Sequence, residues 1–178
     1  MTWRGSNTIQ DRIFSCLVYI FPLVEVVGFG MFLFAQIPGL AMIYLPLLPF
    51  MMVYALLNRF LFGYGSFLVF MVMYLAIVRN ENLRHFLRFN TMQCLMLAIF
   101  AYLCQAVLGL LGILRIPEII SPLSPINSVS SAPLPLVVLS DVIFLAVWAG
   151  AVYSIVQAAR GLYGELPVIS EASYAQTR

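Results

Sequence analysis

The chain has 178 residues, of which 63% are hydrophobic and only 9% charged, and its mean hydropathy is +1.01. That composition cannot be arranged as a water-soluble globule, and at about 20 apolar residues per helical crossing it leaves room for four or five spans and no second domain. Formal charge is +2, and every one of the nine cationic side chains is Arg, so there is no polybasic tail of the kind that binds nucleic acid.

Residues 1–12 are polar and short, and the apolar run behind them is too long for a signal-peptide core, so the first hydrophobic segment reads as retained. No Ser-rich, acid-poor organellar presequence precedes it, which suits a bacterial, organelle-encoded or processed chain. From 13 to 57 the sequence is apolar almost without interruption, punctuated by Pro22, Gly28, Gly30, Pro38, Gly39, Pro46 and Pro49. These weaken helix continuity where neighbouring helices can satisfy the freed backbone groups. Further apolar stretches cover 62–78, 89–114 and 134–156, and 115–133 is a Pro- and Ser-rich loop.

Arginine distribution chooses between four crossings and five. With one crossing in 13–34 and a re-entrant or interfacial segment at 37–57, Arg4, Arg12, Arg79, Arg84, Arg88, Arg160 and Arg178 share a face and only Arg59 and Arg115 oppose them. With two crossings the sides are nearly balanced. The expected fold is therefore all-α and polytopic, a single membrane domain over 1–178, with both termini cytoplasmic or stromal. Its parts are four transmembrane helices, a proline-broken membrane-embedded segment and an amphipathic interfacial helix.

Polar residues inside spans are functional candidates by default. Glu25 lies deep in the first span, where a central charge costs roughly 3 kcal/mol and the fourteen Leu, Ile, Val and Phe residues of 13–34 return about 4 to 8 kcal/mol. Gln93, Gln105 and Asp141 complete a candidate polar interior, either packing contacts or the lining of a path. Pairing of Asp141 with Arg115 is one possibility. Cys16, Cys94 and Cys104 sit in apolar runs with neither redox nor zinc spacing and read as inert thiols.

Between the second and third spans lies a polar cassette, 79–93. At 100° per residue Glu81, Arg84, His85 and Arg88 share one arc and Leu83, Phe86, Leu87 and Asn90 the other, which predicts an amphipathic lead-in helix capped by Asn80. Arg79, Arg84, His85 and Arg88 are the candidate interfacial residues for lipid headgroups. The arginines are not spaced by three as in a voltage sensor, and His85 has no second ligand nearby for a metal. Nothing pairs a nucleophile with a base, two carboxylates, or a Gly-rich loop with a phosphate, so no enzyme, cofactor or metal site is expected.

Certain strings are more specific. Phe32-Leu33-Phe34-Ala35-Gln36-Ile37-Pro38 comes first, then Val78-Arg79-Asn80-Glu81 and Leu87-Arg88-Phe89-Asn90-Thr91-Met92-Gln93, then Tyr153-Ser154-Ile155-Val156-Gln157, Arg160-Gly161 and Leu166-Pro167-Val168-Ile169-Ser170-Glu171-Ala172. In this order they resemble the twenty-kilodalton subunit family of the translocon at the inner envelope membrane of chloroplasts, in its cyanobacterial or plastid-encoded form. The resemblance covers nearly the whole chain. It implies a four-helix subunit of a protein-import assembly in the plastid inner envelope or a cyanobacterial membrane, with other translocon subunits, copies of itself, a translocating polypeptide and lipids as partners, and no nucleic acid. The alternatives are a non-conducting scaffold or assembly factor and, more weakly, a small-solute carrier, which lacks the expected inverted repeat.

Overall fold

A computed structural model describes residues 8–110, 134–166 and 169–177, and every described regular element is helical. Six helices suffice for the account: α1 Ile9–Gln36, α2 Pro38–Phe60, α3 Gly65–Val78, α4 His85–Leu110, α5 Leu134–Ala159 and α6 Ile169–Gln176.

α1 starts on a reciprocal cap. Thr8 N donates to Asp11 Oδ2 at 2.8 Å and Asp11 N to Thr8 Oγ1 at 3.4 Å, which satisfies two of the orphan donors of the first turn. Its course tightens to a 3-10 turn at Val27–Gly30, where the backbone comes so close to α5 that a Cβ on Gly30 would lie 2.7 Å from Phe144 Cε2. Pro38 then ends it. The residue before a proline is pushed out of the helical region, and Ile37 is found at φ −130°, ψ 81°.

Contacts along the helices set their directions. Cys16 reaches the Ile155 carbonyl, Gly30 meets Phe144, and Gly150 meets Leu97, so α5 runs antiparallel to α1 and α4. Asp11 meets Arg84, Tyr19 meets Asn90 and Glu25 lies beside Tyr102, so α1 and α4 are parallel. Asp11 therefore lies at the same end as Arg84, and Thr177 at the same end as His85. We call this the near end.

The chain must return from the far end to the near end once between Gln36 and His85, and α2 and α3 make that return in succession. Tyr44 packs against Phe34 and Phe144 and donates to the Leu23 carbonyl, Tyr54 packs against Phe21, and Val78 reaches the level of Arg88. The turn between them carries Phe62 at φ 52° and Gly63 at φ 91°, with Gly63 N donating to the Asn58 carbonyl at 2.8 Å. Four described helices are long and apolar enough to cross: α1, α2, α4 and α5. Thus 37–57, expected to be re-entrant or interfacial, lies in a helix of sufficient length, and the expected span 62–78 is the shorter α3 of 14 residues. Proline tightens the course of α2 without ending it: Pro46 lies inside a 3-10 turn, Met42–Leu47, that separates the α-helical parts Pro38–Ala41 and Leu48–Phe60, and Pro49 falls in the first turn of the second part, where an amide hydrogen is not needed. Only 6% of the apolar stretch of α2 is buried, against 44% in α1, so α2 is peripheral to a core of α1, α4 and α5.

α4 begins at His85 rather than in an earlier lead-in helix. The Asn80 side chain accepts from Asn82 N at 3.0 Å, closing a local turn that competes with helix. The amphipathic pattern survives in the first turn of α4, where Phe86, Leu87 and Phe89 are buried and His85 is exposed. At the far end, 111–133 lie outside the described residues, and with them the loop and Arg115.

Candidate functional site

The four candidate interior residues occupy different depths and do not converge. Gln93, two turns into α4, is wholly buried, and its Nε2 donates to the Gly164 carbonyl at 2.6 Å and to Ser154 Oγ at 3.3 Å. It therefore ties α4 to α5 and to the segment behind α5. Its Oε1 has no partner. Gln105 is exposed on α4, facing outward.

Glu25 stands midway along the bundle. Its carboxyl is flanked by Tyr102 of α4 and Ser66 of α3, and neither Glu25 Oε1 nor Tyr102 Oη completes a hydrogen bond among the described residues. Ser66 is already engaged: the Tyr54 hydroxyl donates to it, its backbone N donates to Asn58 Oδ1 at 3.0 Å, and Asn58 Nδ2 donates to its hydroxyl at 3.3 Å. The result is a polar pocket of Glu25, Tyr54, Asn58, Ser66 and Tyr102 between the core and the α2–α3 turn. Asp141 lies further toward the far end, beside the backbone of Leu33, and its Oδ1 is likewise buried without a partner.

At the near end the interfacial candidates are divided between protein partners and solvent. Arg84 Nη1 lies 3.3 Å from Asp11 Oδ2, and Arg88 Nε donates to the Val78 carbonyl at 2.8 Å, capping the last turn of α3. Arg79 is exposed. His85 bridges to the chain's tail: its Nδ1 is 3.2 Å from Tyr163 Oη, its Nε2 is 3.4 Å from Thr177 Oγ1, and its ring stacks on Tyr174 at 6.2 Å. Since the Thr177 hydroxyl donates to the Ser173 carbonyl at 2.8 Å, the network fits the tautomer with its hydrogen on Nε2, Tyr163 donating to Nδ1.

Sequence reading missed this tail. α6 folds back over α4, and Phe86, Phe89, Tyr163 and Tyr174 form an aromatic cluster with ring centroids 4.4 to 6.2 Å apart. Period alone cannot bring residues 89 and 174 together. The Thr8-x-x-Asp11 capping box, by contrast, is legible in the sequence as a polar residue three positions before an acid at the start of an apolar run. Also missed were the buried bond from Tyr19 Oη to Asn90 Oδ1 at 3.2 Å and the Asn90 Nδ2 bond to the Phe86 carbonyl at 2.8 Å. Of the cysteines, Cys94 is wholly buried and donates to the Val18 carbonyl, while Cys16 and Cys104 are partly exposed.

Chemically, this arrangement holds helices together. Among the described residues no three His, Cys, Asp or Glu side chains gather as a metal site. The core between the polar stations is filled by two apolar clusters, one centred on Tyr19, Leu95, Leu97 and Ala98 and the other on Val26, Phe29, Phe144 and Val147.

Over residues 8–173 the chain matches the family model described as chloroplast import apparatus, Tic20-like. It belongs to the Tic20 family. A Tic20 family protein of Synechocystis is 37% identical over 95% of this chain and 94% of its own length. The Tic20 family protein Ycf60 of Pyropia yezoensis is 32% identical over 95% of this chain and 76% of its own. Protein TIC 20-II, chloroplastic, of Arabidopsis thaliana is 33% identical over 56% of this chain and 47% of its own. Several of the strings that mark the Tic20 resemblance meet at the near end: Leu87 to Gln93 supplies Arg88, Asn90 and Gln93, Tyr153 to Gln157 supplies Ser154, and Leu166 to Ala172 starts α6. Together these segments form the contacts that dock the tail on α4.

Proposed function

We propose that this protein is a membrane-embedded subunit of a protein translocon, contributing to import or to a protein-conducting path across the plastid inner envelope or its cyanobacterial counterpart, with both termini on the stromal or cytoplasmic side. The match to the Tic20-like import family across residues 8–173 carries this reading. The near-end clustering of Asp11, Arg84, His85 and Thr177 is consistent with both termini sharing a face, and the arginine count assigns that face to the stroma or cytoplasm. With apolar clusters filling the core between Gln93, Glu25 and Asp141, the chain acts as part of a wall rather than as a complete conduit. Other translocon subunits or further copies of the chain supply the rest, and no reaction is assigned to any residue.

The second reading, a non-conducting scaffold or assembly factor, is favoured by one observation. The interior candidates sit at different depths, Gln105 faces outward, and Gln93 is consumed in packing. Photo-crosslinking separates the two. A benzophenone side chain at Val53 or Tyr54 on the peripheral α2, or at Glu25, is irradiated in native membranes during arrested translocation of a substrate polypeptide. Adducts with the arrested polypeptide support the translocon reading. Adducts with membrane subunits alone, at every position, refute it in favour of a scaffold.

A further inference from the structure

The near end holds five of the seven arginines that the charge count assigns to its face within the described residues, and they do not have equal partners. Arg84 is engaged with Asp11 and Arg88 with the Val78 carbonyl, whereas Arg79 and Arg160 are exposed to solvent. Arg12 differs from all of these. It is half-buried, its Nε is shut off from solvent with no acceptor, and no other hydrogen bond or ion pair of its side chain is found among the described residues. The guanidinium packs against Gly161, where a Cβ would come within 2.8 Å of both Cζ and Nε, and the φ of +75° at that position favours glycine, which has no Cβ. Asp11, the adjacent acid, makes no bond to it: successive residues of a helix do not share a face, and the Asp11 carboxylate is turned toward Thr8 and Arg84. A partly desolvated, unpaired guanidinium is costly, and its planar fork favours a bidentate oxyanion.

Beside Arg12 runs a groove of about 360 Å³ bounded by Ile9, Arg12, Ile13, Cys16, Leu17 and Ala159. All the lining except Arg12 is apolar or weakly polar, and Ile9, Ile13 and Leu17, spaced by four on one face of α1, are 74%, 54% and 46% exposed. From Ile9 to Leu17 the helix rises about 12 Å, enough to lead from the headgroup layer into the hydrocarbon. Charge and apolar lining together specify the ligand: an anionic head on Arg12 and a hydrocarbon tail along Ile13, Leu17 and Ala159.

We infer that the groove between the first turns of α1 and the end of α5 is a binding site for one anionic glycerolipid, its phosphate or sulfonate oxygens held by Arg12. Among the described residues Arg12 is the one half-buried guanidinium that lacks an acceptor; the lipid would pair it and seal the seam between α1 and α5.

Native mass spectrometry of the full chain in detergent tests the site, with phosphatidylglycerol and diacylglycerol of equal chain length, which lacks the phosphate, as probes and inorganic phosphate as a third arm. Wild type is expected to retain phosphatidylglycerol at least about tenfold better than diacylglycerol, the scale of a charge-assisted hydrogen bond. Arg12→Gln should bring that ratio close to one, and Arg12→Lys should keep part of it. Ala159→Phe, which fills the groove and leaves Arg12 in place, should lower retention of both lipids. Equal retention of the two lipids by wild type, an unchanged ratio in Arg12→Gln, or displacement of phosphatidylglycerol by equimolar inorganic phosphate overturns the site. Should Arg12→Gln fail to fold, phosphatidylglycerol with a photoreactive acyl chain is applied to wild type. Label within 9–17 and at Ala159 supports the groove, and label confined to other segments removes it.

Discussion

Replacing Gln93 by Leu and by Glu separates a packing role from a place on a watery path. In the native chain the Gln93 Nε2 bond to the Gly164 carbonyl, 2.6 Å, and the weaker one to Ser154 hold the tail segment against α4 and α5, while Oε1 has no partner. Gln93→Leu removes one good hydrogen bond, worth about 1 kcal/mol, and strands the Gly164 carbonyl at a further cost of about 1 to 3 kcal/mol. It also removes the orphaned Oε1, which returns a similar amount. The net loss is therefore about 1 kcal/mol, or roughly 2 to 4 °C in Tm for a chain of this size. Gln93→Glu keeps the shape but sets a carboxylate against the Gly164 carbonyl in a wholly buried position, and an unpaired buried charge costs about 3 to 5 kcal/mol. Thermal unfolding in detergent, followed by Trp fluorescence, should rank wild type above Leu and Leu well above Glu. Hydrogen exchange of 162–166 should accelerate in both variants. If Glu is tolerated as well as Leu, water reaches position 93, and the reading of Gln93 as a dry clamp is wrong.

Other substitutions test neighbouring links. Gly30→Ala forces a methyl into the rings of Phe144 and Phe34, 2.7 and 2.9 Å away, and should cost about 1 to 3 kcal/mol, read as a lower Tm in the same assay; an unchanged Tm would mean that α1 and α5 are not in contact there. Arg88→Met frees the Val78 carbonyl, so hydrogen exchange should rise across 74–79 with little change elsewhere, and even exchange throughout would argue against the cap. Glu25→Gln preserves the size of the residue in the Tyr102–Ser66 pocket; normal abundance with weakened partner crosslinks supports a functional carboxyl, whereas loss of the protein supports packing. Arg84→Glu combined with Arg88→Glu should disturb topology in a cysteine-accessibility assay more than any other paired charge change, since it reverses both charge and local contacts.

Composition and arginine placement suffice for an all-α membrane protein, and the ordered strings from Phe32 to Ala172 suffice for the family. These properties depend on solvent and on local order, which are written along the chain. Proline positions in 37–57 were visible too, but whether a proline breaks a helix depends on whether its missing amide was needed. Pro49 in a first turn costs little, and Pro46 changes the α-helix locally to a 3-10 turn without reversing the chain, so α2 reached crossing length.

The candidate polar residues illustrate the other half. Gln93 and Gln105 are twelve residues apart on one helix, yet one is enclosed by Gly164 and Ser154 and the other faces outward, because contact with a second helix is a property of packing and not of hydropathy. Arg84 and Arg88 read as headgroup ligands until Asp11 and the Val78 carbonyl arrive beside them, from 73 and 10 residues away, and Arg12 stands out only when its neighbours prove occupied elsewhere. Hydrophobicity and charge bias act on each segment alone and so can be read before folding. Partners, orphaned atoms and the groove beside α1 arise from pairings between distant segments, and those exist only once the helices have packed.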